Sequence, residues 1–246
     1  MMQFSLGGRS IRTATLLLFA LGLTASLWGY EPQTLERMTD ASLRLAPAAL
    51  KNTLQGYRSE LEAGIREGLA VDRDTIPLAA DTIRETLPAM ARDQVEFERI
   101  ARGFGRLAGL MFRYHDPLAE QGGRLGEVRS DYYRYVERIL PRLILIFDGY
   151  WNPPLVGSVN EYLRKRARLQ ERYRSALLQA YFPEGKRVSS NTFDDLSNAF
   201  GAAQGILSHA VSDTAKAWFL IWKEMNGDLS ATPYYRPRPS PKKESP

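Results

Sequence analysis

The sequence predicts an all-α, single-domain fold, on three observations. Apolar residues recur at three- and four-residue spacing through nearly all of residues 32 to 227, and Pro and Gly mark the corners between these stretches. No segment sustains the β-branched and polar alternation of a strand. The chain has 246 residues, 44% hydrophobic and 25% charged, enough to bury one substantial core.

LERMTDASLRLAPAALKNTLQGYRSELEAGIREGL, residues 35 to 69, keeps helical spacing with a break at Pro47. A proline suits the first turn of a second helix, where its missing N–H costs nothing. TIPLAADTIRETLPAM (75 to 90) is a shorter helix, and 91 to 114 a long one carrying small residues at Gly103, Gly105, Ala108 and Gly109. Each glycine costs a helix about 1 kcal/mol, so close helix packing is expected there. After the loop AEQGGRLG, a helix over 130 to 147 is expected, capped by Ser130 or Asp131. The next runs over 158 to 182. The last starts near FDDLSNAF and stops at Asn226-Gly227. No internal repeat is visible.

The ends differ from the body. Arg9 and Arg12 precede the apolar run Ala14 to Leu23 and the small residues Thr24, Ala25 and Ser26, the pattern of a secretory signal over residues 1–27. The apolar run is shorter than the roughly 20 residues of a spanning helix, and an uncleaved anchor is the minority reading. Residues 28–230 form the expected domain. Residues 231–246 read as a Pro-rich, basic, disordered tail. The formal charge of +5 belongs to these ends: two leader arginines and a tail excess of three leave the body near neutral. A nucleic-acid partner, which wants a basic folded face, is therefore not expected. With no cysteine, disulfides and thiolate metal sites are excluded.

His115 and His209 are the two histidines, and Gly-x-Ser-x-Gly, Walker and dinucleotide fingerprints are absent. The order of the pieces resembles the zinc-dependent phospholipase C and single-strand nuclease superfamily, secreted all-α phosphodiesterases with a zinc cluster. Four pieces carry it: Trp28-Gly29, the helix pair around residues 43 to 72, GRLAGLMFRYHDPL (105 to 118) and SDYYRYVER (130 to 138). The resemblance implies a multi-helix bundle of the phospholipase C/nuclease type. It places the family's mature N-terminal tryptophan at Trp28, its first histidine near Gln33 and its early aspartate at Asp72. It places Gly109 at the helix histidine, Arg113 at the bridging aspartate, Ala119 at the following histidine and Tyr133 at a later one. Glu137 keeps a glutamate. A catalytic zinc needs about three good protein ligands, and this set does not supply a multi-zinc site. The expectation is a non-catalytic domain without cofactor, in which Arg113 meets Glu137 inside the vacated cleft. The alternative is a divergent phosphodiesterase holding zinc or another metal at an altered site.

Other polar groups have two readings each. His115 beside Asp116 reads as a general base in a cleft or, the preferred reading, as a side chain serving the last carbonyls of its helix. His209 and Asp213, four residues apart, read as metal ligands or as a helix ion pair, the latter preferred. Tyr132, Tyr133, Tyr135, Tyr150 and Trp151, and likewise Trp218 and Trp222, read as core before ligand groove. Arg164, Lys165, Arg166, Arg168, Arg172 and Arg174 form the densest basic cluster, a solvated helix face or a contact for anionic lipid or an envelope polymer. A monomer is expected.

Overall fold

The computed structural model describes residues 29–119, 122–150 and 158–236. The expected leader, Trp28, Trp151 and the tail beyond Arg236 lie outside them. The fold is all-helical, with eight α-helices and no strand among the described residues. They are α1 Pro32–Leu45, α2 Ala48–Gly56, α3 Arg58–Leu69, α4 Ile76–Arg92, α5 Phe97–His115, α6 Gly123–Ile139, α7 Val159–Tyr181 and α8 Asn198–Glu224. None is long and apolar enough to cross a membrane.

α5 and α8 are the centre. α5 packs against α3, α4 and α8, while α8 also meets α1, α4 and α7. Trp218 on α8 is fully buried and its Nε1–H donates to the Phe104 carbonyl of α5 at 2.9 Å, which joins the two central helices. The α3–α5 crossing explains the glycines. A Cβ on Gly64 would lie 2.0 Å from the Arg102 carbonyl, and one on Gly68 2.2 Å from that of Arg106. The approach is reciprocal: a Cβ on Gly105 would lie 2.0 Å from the Leu61 carbonyl, and one on Gly109 2.2 Å from that of Ile65. Two glycine pairs at four-residue spacing thus let two backbones touch, as small-residue stripes do.

Capping fixes several boundaries. Ser158 accepts from the Glu161 amide at 3.1 Å and Ser197 from that of Phe200 at 3.2 Å, opening α7 and α8. At the far end of α8, Asn226 adopts φ +57° and the Gly227 amide reaches back to the Trp222 carbonyl at 2.9 Å, the expected stop. Elsewhere the structure corrects the sequence reading. The stretch 35 to 69 breaks a second time, at Tyr57. The long helix begins at Phe97, not 91, after Gln94 turns to φ +53°.

The helix expected over 130 to 147 is displaced. α6 starts at Gly123, and a 3-10 turn at Leu140–Arg142 ends it where Pro141 cannot supply an N–H. Residues 143–148 then run along α8 with alternate amides, those of Ile144 and Ile146, turned toward it as in an extended chain, before Gly149 turns to φ +85°. α8 side chains take their backbone bonds: the Ile144 amide donates to Gln204 Oε1 at 3.4 Å, the Ile146 amide to Ser208 Oγ at 3.0 Å, and Ser212 Oγ donates to the Ile146 carbonyl at 3.2 Å. The order 204, 208, 212 is one helix face. Beyond the last helix, Tyr235 packs on Phe219, with ring centroids 4.8 Å apart.

Candidate functional site

His115 ends α5 and Asp116 follows as its cap, and the two side chains enter different polar clusters. His115 is buried and its Nε2 meets Asp213 Oδ2 of α8 at 2.9 Å. Asp213, fully buried, also accepts from Tyr162 Oη and, at 3.2 Å, from Arg166 Nη2 of α7. Lys216, one turn beyond Asp213, pairs with Asp148 and lies 3.7 Å from Asp213. Arg166 reaches Asp148 Oδ2 at 3.0 Å. Two carboxylates, Asp213 and Asp148, thus face the side chains of Arg166 and Lys216.

A second chain of bonds holds the other ring nitrogen of His115. Arg73 donates to Gln170 Oε1, which turns the Gln170 amide nitrogen toward His115 Nδ1 at 3.5 Å. The ring is thus held from both sides, with Nε2 facing Asp213 Oδ2 and Nδ1 facing the Gln170 amide nitrogen. Burial pushes the Asp213 carboxyl up, but the His115 bond and the charges of Arg166 and Lys216 outweigh it and hold the group well below the usual carboxylate range. Both ring nitrogens of His115 are engaged, and the residue is 3% exposed. The preferred expectation for His115, a partner of its own helix's carbonyls, is also corrected, as is the His209–Asp213 pair. Asp213 turns to α5 and α7 instead. His209 stacks on His115 with centroids 6.3 Å apart, and its pKa is lowered to about 4 by burial, by Arg166 and by His115.

Asp116 anchors the other cluster. Its Oδ1 accepts from the Leu118 amide at 2.9 Å, closing a turn over Pro117, and its Oδ2 accepts from Tyr133 Oη at 2.7 Å. Burial raises its pKa, against the opposing bonds from Tyr133 and Leu118 and the charges of Arg113 and Arg129. Gly29 lies against it at φ +97°, where a Cβ would come within 3.0 Å of Oδ2. The position argues for glycine on both counts.

The resemblance-derived positions can now be placed. Arg113, Ala119 and Tyr133 gather around Asp116: Tyr133 by its hydroxyl, Ala119 by its amide on the Asp116 carbonyl at 3.3 Å, and Arg113 by its charge. Gly29, next to the expected Trp28, is there too. The others are elsewhere. Gln33 is exposed at the start of α1, Asp72 is exposed and caps a 3-10 turn by accepting from the Asp74 amide at 3.0 Å, and Gly109 serves the helix crossing. The expected Arg113–Glu137 bond does not form: among the described residues no hydrogen bond or ion pair joins them, and Arg113 lies in the field of Asp116. No three His, Asp or Glu side chains converge among the described residues.

The basic cluster of α7 divides by helical phase. Arg166 and Arg174 turn inward, Arg174 donating to the Pro117 carbonyl at 3.1 Å. Arg164, Lys165, Arg168 and Arg172 are exposed. Arg164, Arg168 and Arg172 recur every four residues on one outward face, while Tyr162, Arg166 and Gln170 of the inward side bind the core network. Of the exposed cations, Arg164 leans on Asn160 Oδ1 at 2.8 Å and Lys165 lies 3.6 Å from Glu161.

The inward set was missed in the sequence, although a trace is visible there. Asp213 and Lys216 are charges inside an apolar helix, and such charges need buried partners. The sequence does not say which helix supplies them. No family model, curated protein or solved structure matches this chain.

Proposed function

We propose that the protein is an exported, non-catalytic helical domain that docks on an anionic envelope surface, lipid headgroups above all, through the outward face of α7. The observation that carries this is the ladder Arg164, Arg168 and Arg172, with Lys165 beside it, on a helix whose opposite face is tied into the buried network. A rigid helix holding cations every four residues presents fixed charge to a surface of phosphates. The titratable groups that could do chemistry are spent differently. His115 and Asp213 neutralise each other's polar needs inside the core, and Asp116 holds a turn. In this reading the bundle keeps the architecture of the zinc-dependent phospholipase C and nuclease superfamily, with Arg113, Ala119 and Tyr133 around Asp116 at the former metal site.

Phosphodiester hydrolysis separates this from the divergent-hydrolase alternative. The purified protein, supplied with zinc, is expected to hydrolyse bis(p-nitrophenyl) phosphate no faster than buffer with zinc. Turnover that stops on chelation and is lost in Asp116→Asn would overturn the non-catalytic reading.

A further inference from the structure

A groove of about 650 Å³ lies between α1, the extended segment and the start of the C-terminal stretch. Its walls are Ala41, Arg44 and Leu45 of α1, residues 145–147 and Gly149, Val211 of α8, and Pro233 and Tyr234. Three features of this groove bear on what fills it. First, one edge of the extended segment has no partner among the described residues. In an extended chain, backbone polar groups alternate sides. Those of Ile144 and Ile146 turn to Gln204, Ser208 and Ser212, whereas the N–H and C=O groups of Leu145 and Phe147 take no hydrogen bond among the described residues. Second, Ile144 and Ile146 are 71% and 59% exposed, so the segment shows an apolar outer face as well. Third, Arg44 is exposed on the wall and takes no ion pair among the described residues.

We propose that this groove binds an extended apolar peptide, which adds as a strand to the Leu145–Phe147 edge and sets a carboxylate on Arg44. An unpaired strand edge is a template for another chain, and its amides and carbonyls ask for partners that an acyl chain does not carry. Charge selects among peptides. The chain's own C-terminal residues are net positive, with Arg238, Lys242 and Lys243 against Glu244. Pro237, Pro239 and Pro241 also lack the N–H that an added strand donates. An acidic or C-terminal carboxylate on a proline-free peptide complements Arg44 instead. The proposal does not depend on the α7 surface, and a variant of either leaves the other intact.

The test is fluorescence anisotropy of the full chain with a fluorescein-labelled hexapeptide of alternating valine and threonine ending in a free carboxylate. Two further probes carry N-methyl groups on alternate amides, in one register or the other, because only one set can face the protein edge. Saturable micromolar binding is expected, lost on N-methylation in one register and retained in the other. Arg44→Glu, at an exposed position, should weaken it about tenfold, the size of one charge-assisted pair. Equal binding of the two N-methylated probes, displacement of the peptide by dodecanoate, or no binding by any probe would overturn the proposal.

Discussion

Replacing Asp213 with alanine is expected to destabilise the fold by about 3–5 kcal/mol, because it leaves buried cations without their shared anion. Arg166 and Lys216 would both crowd onto Asp148, and His115 and Tyr162 would keep polar hydrogens with no acceptor. Urea unfolding of the two proteins at pH 7 measures the difference. The pH dependence has a definite sign. The Asp213 pKa is depressed in the fold, so its contribution is complete above the ordinary carboxylate pKa and is lost as pH falls through the folded value. The wild-type advantage should therefore be full at neutral pH and shrink only in strong acid. His209 acts earlier. With a folded pKa of about 4 against 6.5, the unfolded chain binds more protons between those values, and stability falls as pH drops through that window. The imidazole is partly open to water, so we expect a loss of about 1 kcal/mol, below the roughly 3 kcal/mol of a fully buried group with the same displacement. A flat urea midpoint from pH 7 to pH 4 would contradict the placement of His209.

Glycine to alanine should have opposite signs at two helical positions. Gly105→Ala puts a methyl group 2.0 Å from the Leu61 carbonyl, a backbone atom that yields only if α3 and α5 part. Overpacking of that kind costs about 2–3 kcal/mol even after the gain in helix propensity. Gly126 lies inside α6 with nothing within 4 Å of an added Cβ, so the same change should stabilise by about 1 kcal/mol. Equal shifts of the two urea midpoints would show that the α3–α5 contact is looser than described.

The helices were legible because amphipathic spacing and caps are local. Ser158, Ser197 and Asn226-Gly227 each act within one turn of chain, and all three boundaries stand close to expectation. The failures are where tertiary contacts decide. LILIF carries helical spacing as well as strand character, and it runs extended only because Gln204, Ser208 and Ser212 accept and donate along its backbone. Arg113 and Glu137 share a resemblance-derived register, yet Arg113 lies in the field of Asp116, three residues along the chain. The buried network shows the same limit. His115 and Asp213 are 98 residues apart, and nothing local couples them.

Sedimentation with vesicles tests the central claim most directly. The full chain is mixed with phosphatidylglycerol–phosphatidylcholine vesicles, and the triple variant Arg164→Glu, Arg168→Glu, Arg172→Glu is compared with wild type. Each cation near an anionic membrane contributes about 1 kcal/mol, so the variant's partition coefficient is expected to fall at least about a hundredfold. Wild-type binding should also weaken with added salt and vanish on pure phosphatidylcholine. Equal partition of wild type and variant, with both folded by circular dichroism, would contradict it.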